Sequence, residues 1–156
     1  MNFVWNYIKN RFFIVPGNHD FDRSEVDEFS DFPRKKYFND KPEIVEDFVS
    51  KNYNIEKSLV GLKNFKEFEK GFYKNNFSDK DWNFTQFENS FRIQIDGINT
   101  GLSCLNTTWL SFDDIEKGSL FLSKFQVENS LKFISDCSLK IAVIHHPLEF
   151  LNEKDL

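Results

Sequence analysis

Apolar and polar positions follow two different rhythms along this chain. Arg11-Phe12-Phe13-Ile14-Val15 is a short apolar run halted by Pro16-Gly17, which predicts a buried strand entering a loop. From residue 24 to about residue 89 the pattern turns polar and helical. Ser24 ahead of Glu25 and Asp27 predicts a helix start, and Pro42 with Glu43, Glu46 and Asp47 predicts a second. Leu59, Leu62, Phe65, Phe68 and Phe72 recur three and four apart, the apolar face of an amphipathic helix turned to the core.

After Ser90 the period becomes two. Phe91, Ile93 and Ile95 alternate with Arg92, Gln94 and Asp96, which predicts a half-buried strand. Asp96-Gly97 is a hairpin turn signal, and residues 100–105 read as its partner strand. Ser123 is positioned to cap a helix carrying Val127, Leu131 and Ile134 on one face. Residues 139–144 read as a last buried strand, running into His145-His146-Pro147. Strands separated by helices predict an α/β fold. The helical block at 24–89 is long for a crossover and reads as an insertion or lid.

With 156 residues, no repeat and no Pro- or Gly-rich linker, the chain reads as one domain, 1–156. Its 25 acidic residues outnumber 20 basic ones, for a net charge of −5, which disfavours nucleic acid and anionic membranes as partners. No apolar run approaches the roughly 18 residues of a membrane span. Lys9 and Arg11 interrupt the apolar start, so no signal-peptide core is read there. Cys104 and Cys137 suit reduced thiols, and the expected location is cytoplasmic. The 20 phenylalanines read as compositional bias in a Lys/Asn-rich chain rather than as a binding platform.

All three histidines follow apolar strands, His19 in one place and His145-His146 in another. Strand exits in α/β sheets are where ligands bind, because loops there carry polar groups on a rigid scaffold. In Gly17-Asn18-His19-Asp20, Asn18 offers a neutral oxygen ligand, His19 a proton carrier near neutral pH, and Asp20 a group to orient it. The same residues equally suit a turn in which Asn18 and Asp20 bond their own backbone.

Gly17-Asn18-His19-Asp20 after an apolar strand resembles the Gly-Asn-His-Asp/Glu motif of the calcineurin-like metallophosphoesterases. His145-His146-Pro147 is similar to that family's later metal-binding histidine motif, and Gln126 before the last strand fits its layout. Residues 15–23, 101–109 and 142–151 also resemble large bacterial phosphoesterases. The resemblance implies hydrolysis of a phosphate mono- or diester at a centre of two divalent ions, Mn, Zn or Fe. It makes Asn18 and His145 metal ligands and His19 the general acid, with Asp20 orienting it. His146, Arg23 and Asn106 become outer contacts to metal or substrate, although surface charge and loop hydrogen bonding account for those three equally. Two cations about 3.5–4 Å apart would activate a shared water, so no protein nucleophile is needed. The implied fold is a four-layer αββα sandwich, here partial, with a helical insertion after the GNHD loop.

The family's Asp-x-His, Gly-Asp-x-x-Asp and Gly-His-x-His motifs are absent from this sequence. Asn18 and His145 are neutral, and two dications need carboxylates nearby to offset their charge. The expectation is therefore the middle portion of such a domain, with weak or partial metal binding. Open sheet edges would then favour self-association or a complementing chain. The alternative is an inactive phosphoesterase-like fragment acting as a binding or regulatory module.

Overall fold

The computed structural model describes residues 11–55 and 59–155, and the reading of the first ten residues lies outside that range. The protein is mixed α/β, with four helices and one four-stranded sheet among the described residues. Three helices come first: α1 (Asp31–Asp40), α2 (Val45–Asn52) and α3 (Lys63–Lys74). Then follow β1 (Trp82–Phe84), β2 (Glu88–Ile95), β3 (Ile98–Leu105), α4 (Lys124–Phe133) and β4 (Leu139–Val143). The sheet order is β1-β2-β3-β4, antiparallel except for the parallel β3–β4 pair. A parallel pair needs a crossover, and α4 supplies it.

The β2–β3 hairpin forms where the sequence places it. Ile95 pairs with Ile98 across Asp96 and Gly97, whose φ angles of 49° and 81° are those of a two-residue primed turn. Gly101 on β3 lets α4 approach closely, since a Cβ there would lie 2.5 Å from the Cβ of Ile134. One apolar cluster gathers α1, α2 and the loops around Trp109 and Phe121. A second gathers Tyr73, Phe91, Leu102 and Cys104, with Phe13 and Phe77 packed on it.

Several expectations are corrected. Residues 11–15 form no strand. Phe13 packs edge-on against Phe91 at 4.9 Å. The Tyr73 hydroxyl accepts the Ile14 N–H at 2.9 Å and donates to the Phe12 carbonyl at 3.3 Å, replacing the ladder bonds of a neighbouring strand. Ser24 starts no α-helix, because the Asp22 carboxylate takes its N–H and closes a single 3-10 turn, Arg23–Glu25. The helical block ends at α3, since Trp82 and Phe84 turn back onto β2.

Of the apolar face expected on α3, Leu59 and Leu62 are buried, Phe65 is half-buried and Phe72 packs on the second cluster, but Phe68 does not turn inward. Phe68 is 56% exposed, and the buried positions are Lys66, Glu69 and Tyr73. Lys66 and Glu69 meet there in an ion pair of 2.6 Å. On α4, Leu131 is exposed while Gln126, Ser130 and Ile134 are buried. The Ser123 side chain does not cap this helix. Glu46 of α2 does, accepting the N–H groups of Lys124 and Phe125 at 2.7 and 2.8 Å. β4 is an edge strand rather than a buried one, with Leu139 44% and Ile141 38% exposed.

Candidate functional site

The GNHD loop closes on itself before it meets anything else. The Asp20 N–H donates to the Gly17 carbonyl at 2.9 Å, and the Asp20 carboxylate accepts the Gly17 N–H at 2.8 Å. These two bonds wind Asn18–Asp20 into one 3-10 turn. Asp20 thus orients the loop backbone, and the His19 side chain stands exposed on the turn.

Gly17 is the point of contact with the second motif. A Cβ there would lie 3.1 Å from His145 Cε1 and 3.3 Å from Nδ1, so the bare backbone lets the imidazole lie against it. His145 packs edge-on against His146, ring centroids 4.7 Å apart. The structure therefore brings Gly17 and Asn18 beside His145 and His146, although about 125 residues of sequence separate them.

His146 is held on every side. It is 4% exposed and its ring stacks on Phe150. The Thr107 hydroxyl lies 2.9 Å from its Nδ1 and accepts the His146 backbone N–H at 3.3 Å. With that hydroxyl donating to Nδ1, the ring proton sits on Nε2. Nε2 faces Glu116 Oε2 at 3.4 Å, an electrostatic contact rather than a formed hydrogen bond. Burial holds the His146 pKa below its ordinary value, with Glu116 opposing the shift.

Glu116 is the residue that sequence reasoning missed. Its Oε2 also accepts from Asn18 Nδ2 at 3.5 Å, so one carboxylate joins the GNHD loop to His146. The residues just before it, Asp113-Asp114-Ile115, reach out as well. Asp114 pairs with Arg23 at 2.8 Å, and Asp113 with the buried Lys35 at 2.6 Å. Ile115 gives its carbonyl to the same lysine at 2.9 Å. The only trace of this in the sequence is the acidic run itself, which reads as solvated loop.

Of the remaining predicted contacts, Arg23 lies at the surface in its pair with Asp114. Asn106 lies inside. Its side-chain oxygen accepts the Thr108 N–H at 2.8 Å and the Thr108 hydroxyl at 2.9 Å, and Gln126 accepts its backbone N–H at 2.6 Å. Asn106 thereby shapes the turn that presents Thr107 to His146. Burial pushes the Cys104 thiol up to about 12, so it is protonated near neutral pH and no nucleophile.

Compared with family models, curated proteins and solved structures, this chain matches none. Among the described residues no group of three or more His, Cys, Asp and Glu side chains could hold a metal ion. No described helix is long and apolar enough to cross a membrane.

Proposed function

We propose that this chain carries the GNHD and His-His-Pro portion of a metal-dependent phosphoesterase site that hydrolyses a phosphate mono- or diester. The observation behind this reading is the closure of Gly17 onto His145, with Asn18 and His146 sharing Glu116. Two motifs far apart in sequence meet, with Asn18 Nδ2 and His146 Nε2 both facing Glu116 Oε2. In this reading Asn18 and His145 are ligands, and the exposed His19 is free to protonate a leaving oxygen. Arg23, His146 and Asn106 act around them, and the four-stranded sheet is one half of an αββα sandwich.

The residues present do not fit a complete dinuclear centre. Two dications need several carboxylates at close range. Among the described residues the carboxylates of these loops are already engaged: Glu116 with Asn18 and His146, Asp20 with the Gly17 backbone, Asp22 with Ser24, and Asp113 and Asp114 with Lys35 and Arg23. The remaining ligands would come from further protein, in this chain or a complementing one, meeting the sheet at the β4 edge. The engagement of Glu116 and Asp20 within the protein favours a second reading, an inactive phosphoesterase-like module that binds or regulates a partner.

Metal titration and turnover separate the two. With Mn²⁺ or Zn²⁺, the first reading expects weak uptake that falls further in Asn18→Ala and His145→Ala, and slow hydrolysis of bis(p-nitrophenyl) phosphate. His19→Ala should then slow substrates with poor leaving groups most. No uptake and no hydrolysis with any divalent ion would leave only the binding module. Two tightly held ions with rapid turnover would show that the residues present suffice for a dinuclear centre.

A further inference from the structure

Glu116 and His146 meet inside the protein without satisfying each other. His146 is 4% exposed and Glu116 9%. Within that packing, His146 Nε2 and Glu116 Oε1 make no hydrogen bond among the described residues. Glu116 Oε2 stands 3.4 Å from Nε2 without bonding it, and its hydrogen bond from Asn18 Nδ2 is long at 3.5 Å. A buried carboxylate and a buried imidazole left in this state carry a desolvation cost, and a cation placed between them would offset it.

The spacing is that of metal ligands. Zinc binds imidazole nitrogen and carboxylate oxygen at about 2.0–2.2 Å, and a tetrahedral angle between two such bonds sets the ligand atoms about 3.3–3.5 Å apart. The separations from Glu116 Oε2 to His146 Nε2 and to Asn18 Nδ2, 3.4 and 3.5 Å, are edges of that size. A half-turn of the Asn18 carboxamide exchanges Nδ2 for Oδ1, so the same position presents an oxygen ligand. The Thr107 hydroxyl, 2.9 Å from His146 Nδ1, is able to accept a proton from it. That tautomer leaves Nε2 a bare lone pair, and an oxygen on the other ring nitrogen is the usual partner of a metal-bound imidazole. Asn18 is half-buried, so the cluster opens to solvent on that side. Glu116 brings one negative charge and the other two groups bring none, which suits a single dication and not a pair.

We propose that Asn18, Glu116 and His146 bind one zinc ion, an open three-ligand site whose fourth position is left to water. The imidazole favours zinc over the harder Mg²⁺ and Ca²⁺. Zinc binding here requires no hydrolytic activity. It rests on Glu116 and His146, where the phosphoesterase reading makes Asn18 and His145 the ligands and gives Glu116 no role in that family's motifs.

The test titrates Zn²⁺ into the full chain by calorimetry with no phosphate ester present, and uses Co²⁺ as a spectroscopic stand-in. One ion per chain should bind, Mg²⁺ and Ca²⁺ should bind at least about tenfold more weakly, and Co²⁺ should show the visible absorption of a four-coordinate site. Glu116→Gln keeps the side-chain shape, removes the charge, and should weaken Zn²⁺ about tenfold or more. In the unaltered protein, NMR of the imidazole nitrogens should show His146 Nε2 bound to zinc and Nδ1 carrying the proton, which reads the site without disturbing a buried ring. No uptake of zinc at about 100 μM, a His146 ring unchanged by zinc, or indifference to Glu116→Gln would overturn the proposal. Uptake lost in His145→Ala and kept in Glu116→Gln would also overturn it, by placing the ion on the ligands of the phosphoesterase reading. Phosphate-ester turnover plays no part in these readouts, so failure here and failure of that reading are distinct.

Discussion

Replacing Glu88 by Gln should remove a pH dependence from the stability of this protein. Glu88 is fully buried at the start of β2, where its Oε1 accepts from Asn83 at 3.2 Å and from Asn129 at 3.1 Å. Its Oε2 makes no hydrogen bond among the described residues. Burial pushes the carboxyl up to about 7, against 4.5 for an ordinary glutamate, and its hydrogen bonds recover only part of that. The folded state therefore holds this proton more tightly than the unfolded chain. The stabilisation is complete below about pH 4.5 and is lost as pH rises through about 7. At 1.36 kcal/mol per pKa unit, the gap between 4.5 and about 7 corresponds to about 3 kcal/mol. Glutamine keeps the carbonyl acceptor for Asn83 and Asn129 but never ionises. Urea unfolding of both proteins between about pH 4 and pH 8.5 isolates the effect, because other titrating groups cancel in the difference. The variant should match the wild type at the acid end and exceed it by up to about 3 kcal/mol at the alkaline end. A difference that stays constant with pH would refute the reasoning.

Glu46→Ala should cost about 1–2 kcal/mol in urea unfolding, because it uncaps α4 at Lys124 and Phe125; a loss below about 0.5 kcal/mol would show that the cap contributes little. Gly101→Ala should cost about 1–3 kcal/mol by driving a methyl into Ile134, and trimming that residue to Val should recover part of the loss in the melting temperature. Lys66→Met should cost about 3–5 kcal/mol, since it strands Glu69 in the interior. The double variant Lys66→Met/Glu69→Leu should return to wild-type stability or above, and a double variant as unstable as the single would contradict this account.

Local chemistry along the chain was enough for the features that depend on neighbours in sequence. The β2–β3 hairpin follows from the alternation around Phe91 and Ile93 and from the backbone freedom of Asp96-Gly97. The crossover at α4 follows from its position between two apolar runs, one of which, β4, lies parallel to β3. The two histidine motifs were visible for the same reason, each a short run of unusual residues after an apolar segment.

Assembly overruled the sequence wherever a buried group found its partner far away. The run at 11–15 has the composition of a strand, yet the Tyr73 hydroxyl supplies its hydrogen bonds. Periodicity put Phe65, Phe68 and Phe72 of α3 inside; Phe72 does pack on the core, but Phe68 is exposed and the ion pair of Lys66 with Glu69 turns inward beside it. Ser123 has the right identity for a cap, and Glu46, 77 positions earlier, took its place. Glu116 was hidden in an acidic run, since only the folded chain sets one carboxylate between Asn18 and His146. Residue type and spacing record what a side chain can do. Which side chain it meets depends on how distant segments pack, and burial makes that pairing obligatory.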